Sequence, residues 1–285
     1  MIKKTLAFLS LLLMMLPAMA QQSLLYKISG NGLPQPSYVY GTIHMICPQD
    51  FNFPDKLTKV VRAANVIYLE LDMDDPAMML NMAMMMQDKT PGYSLEKAFK
   101  PEDFRLLQQF MNDSMSMDIE NFKKMKPLVL MSLLATKLLP CKKSESYEMK
   151  LVEMAKQYHK PVEGLETIED QVSVFDNIAD TTEARSIMEY VKNMAKQRDI
   201  MNRLMTSYKK QDVNALYNLV LETAETESDR EELLDKRNRN WIPKMEKAMK
   251  KDLVLFAVGA GHLGGDQGVL SLLKKKGYKV EPVHK

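Results

Sequence analysis

Leu253-Val-Leu-Phe-Ala-Val258-Gly-Ala-Gly-His262 is the stretch of this 285-residue sequence that decides the fold. Its first six residues are all apolar, which predicts a strand buried on both faces, as in a parallel sheet covered by helices. Gly259 lets the chain bend sharply where the strand ends, and His262 follows that bend. A histidine just past a strand end occupies the place where α/β proteins put functional side chains.

A second segment near the start of the chain has the same pattern. Val39-Tyr-Gly41-Thr-Ile-His44 is also a strand that runs into Gly-x-x-His, and the chain has only four histidines. One such histidine is more often a hydrogen-bonded structural residue, but two copies in a histidine-poor chain favour a site. Imidazoles at two strand ends suit a transition metal or acid–base chemistry.

Two further predicted strands end in glutamate. Glu70 closes Ile67-Tyr-Leu-Glu, and Glu166 follows Val162-Glu-Gly-Leu. If all four strands share one sheet, two imidazoles and two carboxylates converge along its carboxyl edge. Such a set can bind Mn²⁺, Co²⁺ or Zn²⁺ and keep positions open for water and substrate. The alternative for each acid is a solvated residue or a helix cap.

The distribution of strand-like and helix-like segments predicts the fold class. The predicted strands are Tyr38–Thr42, Val66–Leu71, Pro161–Leu165, Leu253–Val258 and Lys279–Val283. Between about Tyr93 and Lys251 the pattern is mostly helical, and the apolar segment Leu128–Leu139 predicts a buried core helix. We therefore expect an α/β (α+β) fold with a central mixed β-sheet. A large helical insertion block separates its strand-rich N- and C-terminal parts.

The first twenty residues have the organisation of a secretory signal peptide. Two lysines precede the apolar stretch Leu6–Leu16, and Ala18-Met-Ala20 is a small-x-small cleavage site. An uncleaved anchor is the weaker alternative, because the apolar stretch is shorter than a bilayer requires. We expect residues 1–20 to be removed and residues 21–285 to form one exported domain, periplasmic or secreted, without a transmembrane segment.

The charge of the chain argues against nucleic acid as a partner, and its two cysteines predict a disulfide. The chain has 39 basic and 37 acidic residues, so loss of the two signal-peptide lysines leaves an equal number of each. With the two signs interspersed, we expect no nucleic-acid partner. The two cysteines, Cys47 and Cys141, survive cleavage, and in an oxidising compartment an even pair predicts a disulfide.

One short region is rich in methionine: Met78, Met79, Met82, Met84, Met85 and Met86. Methionines can replace leucine on the buried face of a helix, which is the simplest interpretation in a chain with 25 methionines. They can also line an adaptable apolar groove. Copper binding by thioethers is the third alternative.

Several of these motifs together carry a resemblance to a known family. They are Tyr40-Gly-Thr-Ile-His44, Leu69-Glu-Leu-Asp72, Val162-Glu-Gly-Leu-Glu166-Thr, and Val258-Gly-Ala-Gly-His262-Leu-Gly-Gly-Asp-Gln-Gly268. From about Tyr38 to Val283 the chain resembles the TraB/GumN family, the bacterial relatives of the Tiki metalloproteases. The resemblance implies an α/β fold with a metal site made by both Gly-x-x-His histidines, His44 and His262, and by Glu70.

The resemblance extends to residues around these three. It includes Gly41, Gly259, Gly261, Glu166, Gln171, Arg237 and Asn238. One departure concerns the segment before the third predicted strand, where many relatives have Gly-x-Asp and this chain has Ser146-Tyr147-Glu148. The resemblance to the family therefore gives Glu148 no role in the site.

Two functions follow as expectations. In the first, the protein is a metal-dependent hydrolase of peptides, in which Glu70, Glu166 and Arg237 are catalytic. Glu166 would take a proton from the attacking water, and Arg237 would neutralise developing charge or orient the substrate. In the second, the protein binds and sequesters a peptide or small molecule without cleaving it, and the methionines form part of the groove. A role in surface-polysaccharide production rests on the GumN name alone.

Overall fold

A computed structural model describes residues 22–176, 180–223 and 230–284. The predicted signal peptide, Met1–Ala20, lies outside the described residues. The described chain contains one six-stranded sheet. Its strands are β1 Leu25–Ser29, β2 Ser37–Thr42, β3 Val66–Leu69, β4 Val162–Gly164, β5 Val254–Gly259 and β6 Lys279–Pro282. The expected α/β fold with a mixed sheet is confirmed.

The direction of the strands determines where the sequence motifs meet. The order across the sheet is β4-β3-β5-β2-β1-β6. Strands β4, β3, β5 and β2 run parallel to one another, whereas β1 is antiparallel to both β2 and β6. The carboxyl ends of the four parallel strands therefore lie at one edge of the sheet, and each of these strands carries one of the motifs.

All five predicted strands are present, with ends that differ by one or two residues. Strand β5 is central, and its apolar residues from Val254 to Val258 are buried, as its continuous apolar run predicts. Strand β1 was not predicted. Its sequence, Leu-Tyr-Lys-Ile-Ser, does not alternate cleanly, yet Leu25 and Ile28 are buried where it lies between β2 and β6.

Helices surround the sheet and fill the region between β3 and β5. They are α1 Asp55–Ala63, α2 Pro76–Met85, α3 Pro101–Phe110, α4 Pro127–Ala135, α5 Tyr147–Gln157, α6 Ile168–Asp176, α7 Asp180–Lys192, α8 Met194–Lys209, α9 Val213–Thr223, α10 Lys236–Met249 and α11 Val269–Lys275. The predicted core helix at 128–139 is α4, which gives way to a 3₁₀ turn at Thr136. No helix in the described part of the chain has the length and hydropathy needed to cross a bilayer.

The helical block has a hydrophobic core of its own. The main core packs both faces of the sheet and includes Phe256 and Trp241. A second cluster joins α3, α4 and α7 through residues such as Leu107, Leu134 and Ile187, all of which are fully buried. Each such side chain contributes about 1.5–3 kcal/mol on burial, so this cluster stabilises the block in addition to the main core.

The two cysteines are paired. Cys47, three residues after His44, forms a disulfide with Cys141, which precedes α5, and the Cα atoms are 5.8 Å apart. Next to it, Ile46 and Glu145 exchange backbone hydrogen bonds of 3.0 and 2.8 Å. These contacts tie the loop after β2 to the start of α5.

Candidate active site

The four sequence motifs meet at the carboxyl edge of the sheet. His44 lies two residues past the end of β2, Glu70 directly follows β3, and Glu166 lies two residues past β4. His262 lies in a 3₁₀ turn that begins after β5. A fifth residue, Arg237, reaches the same place from the first turn of α10. The sequence thus positions these side chains through its strand ends, and α10 closes the site from one face.

Arg237 is the centre of the hydrogen-bond network. Its Nη2 donates to Glu70 Oε2 at 2.6 Å and to Glu166 Oε1 at 2.5 Å, and its Nε donates to Glu166 Oε2 at 3.1 Å. Its Nη1 is 3.2 Å from His262 Nε2. Burial opposes a charged guanidinium, but Glu70 and Glu166 outweigh it and raise the pKa of Arg237. Two carboxylates therefore share one permanently charged group.

Glu166 lies behind Arg237 and its side chain is only 6% exposed. Besides the two bonds from Arg237, its Oε2 accepts a hydrogen bond of 3.0 Å from Trp241 Nε1. The Arg237 guanidinium also lies over the Trp241 ring at 5.0 Å. The geometry thus gives Glu166 and Trp241 the role of positioning Arg237, and the general-base role of Glu166 stays a prediction.

Glu70 connects the ends of two strands. Its Oε1 accepts a 2.7 Å hydrogen bond from the backbone N–H of Gly259, and Gln171 Nε2 donates to Oε2 at 3.3 Å. A Cβ atom on Gly259 would lie 3.2 Å from Oε1, so glycine permits this close approach. Burial alone would raise the pKa of Glu70, but the potential of His262, Arg237 and His44 and the Gly259 N–H lower it to about 2.

His262 is a buried, neutral imidazole with a defined tautomer. Its Nδ1 lies 2.7 Å from Asn238 Oδ1, and the amide of Asn238 is fixed because its Nδ2 donates to the carbonyl of Gln267 at 3.0 Å. An amide oxygen only accepts, so Nδ1 carries the proton and Nε2 has the lone pair. Burial, with the nearby Arg237, lowers the pKa of His262 to about 3. Since His262 is neutral at pH 7, Arg237 keeps Glu70 ionised there.

His44 has a carboxylate partner that sequence reasoning left out. Its Nδ1 lies 2.9 Å from Glu148 Oε1, and Glu148 also accepts from Thr42 Oγ1 at 2.6 Å and from Ser146 Oγ at 2.8 Å. Burial opposes the charge on Glu148, but these donors lower its pKa. In return, Glu148 raises the pKa of His44 to about 9. The imidazole of His44 is 71% exposed, so its ring is open to solvent.

Two cavities adjoin the site and share His44, Glu70 and Arg237 in their walls. One, of about 200 Å³, also contains His262 and is otherwise mainly apolar. The other, of about 360 Å³, is the methionine groove. Its lining also includes Met82, Met85, Met86, Val129, Ile168 and Val172. Part of the methionine-rich segment, which is helix α2, therefore forms one wall of a groove that leads to the polar residues.

The donor groups allow a test of whether a divalent metal suits the site. Within the three described ranges, no group of three or more His, Cys, Asp or Glu side chains is arranged to hold a metal ion. Two of the expected ligands do come together, since His262 Nε2 and Glu70 Oε1 are 3.9 Å apart. His44 lines the same cavity. In His44 and His262 alike, Nδ1 is held by a neighbouring side chain, as in metal-binding histidines, so the chemical types of these donors suit a metal although their present spacing does not form a three-ligand set.

Comparison with known proteins supports the resemblance seen in the motifs. Residues 24–282, nearly the whole chain, match the TraB/PrgY/gumN family. The chain belongs to this family. No curated protein matches it, and no solved structure does. The family match assigns no reaction, so the chemistry of this TraB-family site has to be argued from its own residues.

Two residues of the TraB-family site carried a sequence signal that was not used. Glu148 is the third residue of Ser146-Tyr-Glu, the segment in which the sequence departs from the expected family pattern, and its carboxylate, at the start of α5, reaches His44. Trp241 follows Arg237 by one helical turn, the spacing at which side chains share a helix face. Gln171 and Asn238, expected from the resemblance, contact Glu70 and His262.

Proposed function

We propose that this TraB-family protein is an exported, divalent-metal-dependent hydrolase that acts on peptides. The observation that carries the proposal is the pair of histidines at two parallel strand ends. In each, Nδ1 is held by a neighbouring side chain, Glu148 for His44 and Asn238 for His262, which leaves Nε2 as the nitrogen for a metal. Export is supported by the signal-like sequence of residues 1–20 and by the Cys47–Cys141 pair.

His44, His262 and Glu70 are the residues that would hold the metal, which we propose is Mn²⁺, Co²⁺ or Zn²⁺. A divalent ion there would polarise a scissile carbonyl and acidify a bound water. Glu148 and Asn238 fix the ring orientation of the two histidines, and the Gly259 N–H with Gln171 fixes Glu70. The protein therefore supplies ligands whose rotation is already restricted.

Arg237 is the group that stabilises negative charge on the substrate. Its side chain is 15% exposed and lies in the walls of both cavities, so part of the guanidinium is accessible from the groove. A fixed cation in a largely buried site stabilises charge that develops on a carbonyl oxygen. Glu166 Oε2 accepts hydrogen bonds from both Arg237 and Trp241, whereas Oε1 accepts only one, from Arg237, so Oε1 is the oxygen with a lone pair left to take a proton.

The methionine groove is where we place the peptide. It offers thioether and branched apolar side chains directly beside Glu70 and Arg237, and thioethers adapt to side chains of different shape. The same groove favours a second candidate function, in which the protein captures a peptide or small molecule without cleaving it. Met82 and Met85 would then matter for affinity, and His44 would not.

The first experiment is elemental analysis of residues 21–285 purified without chelator or affinity-tag metal, followed by reconstitution with Mn²⁺, Co²⁺ and Zn²⁺. We expect about one metal per chain, lost in the folded His44→Ala/His262→Ala variant and retained in His284→Ala. The last variant is a matched control, because His284 is exposed and lies outside both site cavities. Hydrolysis of a peptide library, analysed by mass spectrometry, should follow the metal content.

Two results would count against this function. Equal metal in the wild type and in the double histidine variant would place any bound metal elsewhere. Peptide binding that survives His44→Ala but is lost in Met82→Gln/Met85→Gln, with no cleavage by the metal-loaded wild type, would favour capture. The circular dichroism spectrum of each variant has to match that of the wild type for either comparison to count.

A further inference from the structure

In this structure the guanidinium of Arg237 contacts residues that we propose as metal ligands. Arg237 Nη1 is 3.2 Å from His262 Nε2, and Arg237 Nη2 donates to Glu70 Oε2 at 2.6 Å. The same His262 nitrogen and the other oxygen of Glu70 are 3.9 Å apart. One guanidinium therefore contacts two of the three residues that would have to bind the ion.

Lone-pair counting shows that His262 cannot serve both partners together. Its Nδ1 carries the proton that Asn238 accepts, so Nε2 has one lone pair in the plane of the ring. That lone pair can accept a hydrogen bond from Arg237 or bind a metal ion. Glu70 is less restricted, because each carboxylate oxygen has two lone-pair sites. The conflict is therefore concentrated at His262.

The other side of Arg237 has a separate anchor. Glu166 accepts two hydrogen bonds from Arg237, through Nε and Nη2, and is itself fixed by Trp241 Nε1. The ring of Trp241 also stacks under the guanidinium at 5.0 Å. These contacts involve neither His262 nor Glu70, so Arg237 can leave the proposed ligands and still keep a carboxylate partner and an aromatic surface.

We infer that Arg237 is an internal competitor of the metal ion. It occupies His262 Nε2 and one oxygen of Glu70, and it withdraws toward Glu166 and Trp241 when an ion binds. This inference rests on the proposed function, because it presumes that His262 and Glu70 are metal ligands. It gives Arg237 a second role, in which the affinity for metal is set by how firmly the guanidinium is held at His262.

The chain contains a reporter of this movement. Trp241 is the only tryptophan of the protein, its ring contacts the guanidinium, and its ring centroid is 4.5 Å from that of His262. Intrinsic tryptophan fluorescence therefore comes entirely from the site. Zn²⁺ is the suitable probe for fluorescence because it has no redox chemistry of its own.

The test compares metal affinity in three proteins by isothermal titration with Mn²⁺: the wild type, Arg237→Gln and Arg239→Gln. Arg239 is the matched control, since it lies two residues along the same helix and is 44% exposed in a pair with Glu231. We expect Arg237→Gln to bind Mn²⁺ at least about tenfold more tightly, the effect of no longer displacing one hydrogen bond to a charged group. Arg239→Gln should bind like the wild type.

A weaker or unchanged affinity in Arg237→Gln, with the wild type binding metal through its histidines, would overturn this inference and leave the proposed function standing. Binding in Arg237→Gln but none in the wild type would support the competitor role and contradict the proposed function. Absence of binding in both proteins would overturn both.

Two measurements keep the test decisive if Arg237→Gln does not fold. In the wild type, Trp241 emission should change on Zn²⁺ titration, with the same Kd as a calorimetric titration of the protein with Zn²⁺; binding without a change in emission would refute a displaced guanidinium. Arg237→Lys keeps the charge but loses the planar fork, so it should hold His262 less firmly and bind Mn²⁺ more tightly than the wild type. An unchanged affinity in that folded variant would also refute the inference.

Discussion

Replacing Arg237 by methionine tests the charge balance on which the site depends. The variant keeps a long side chain beside Trp241 but leaves Glu70 and Glu166, whose side chains are 11% and 6% exposed, without their shared cation. Removing one partner of a buried ion pair destabilises a protein by about 3–5 kcal/mol, because the other charge stays buried. We expect Arg237→Met to lower the free energy of unfolding at pH 7 by that amount.

The pKa of Glu70 gives the expected pH dependence. It is lowered from its ordinary 4.5 to about 2 by His262, Arg237, His44 and the Gly259 N–H together, so the ionised carboxylate stabilises the folded protein and Arg237 supplies part of that effect. Because the pKa is lowered, this stabilisation is present above pH 4.5 and is lost as the pH falls toward 2. In Arg237→Met, Glu70 no longer feels the potential of the guanidinium, so its pKa is higher than in the wild type and this residue becomes protonated at a higher pH.

The assay is urea unfolding followed by circular dichroism at pH 7, 5 and 3.5, with chelator present so that metal does not contribute. The deficit of Arg237→Met should be largest at pH 7 and shrink at pH 3.5. Arg239→Met, with its exposed ion pair, should lose less than about 1 kcal/mol at every pH. A deficit below 1 kcal/mol at pH 7, or one that stays constant down to pH 3.5, would refute the reasoning.

Three further predictions concern the disulfide, an unusual carboxyl group and Glu166. Replacing both Cys47 and Cys141 by alanine should lower the stability by up to about 4.5 kcal/mol, the chain-entropy estimate for a sequence separation of 94, and thermal unfolding of the wild type with and without reductant should show a similar loss. Burial and Asp74 raise the pKa of Asp72 to about 6, so the stability of the wild type should fall as the pH rises from about 4 to about 6. The thermal stability of Asp72→Asn should not fall over this range, and an equal fall in both proteins would exclude Asp72 as its source. Glu166→Gln should lower kcat for peptide hydrolysis by about 10²–10⁴-fold if Glu166 is the general base, with metal content unchanged; a loss of less than tenfold would leave it a positioning residue alone.

The strand ends were the most predictable part of the molecule. A continuous apolar run such as Leu253–Val258 has few places in a soluble fold other than the centre of a parallel sheet. Once four such strands are parallel, the residues that follow them share one edge. This is why His44, Glu70, Glu166 and His262 could be expected near one another from the sequence.

The contacts made by helices were not predictable in the same way. Arg237 of α10 contacts Glu70 across 167 residues of chain, and Glu148 contacts His44 across 104 residues. Periodicity shows which face of a helix is apolar, but it does not show which strand end that helix reaches. The role of Glu166 depends on its contacts with Arg237 and Trp241 of α10, and the sequence suggests that Arg237 pairs with a site carboxylate without showing which one.

The disulfide has a consequence for the order of events in biosynthesis. It joins the loop that carries His44 to the segment that leads into Glu148. Without this bond the two segments are joined by noncovalent contacts, among them the backbone pairing of Ile46 with Glu145 and the hydrogen bonds between Asn52 and Tyr147. Oxidation of Cys47 and Cys141 would therefore restrict the spacing between the loop of His44 and the segment of Glu148 as well as stabilise the fold. While the thiols stay reduced, noncovalent contacts alone hold Glu148 beside the solvent-facing His44.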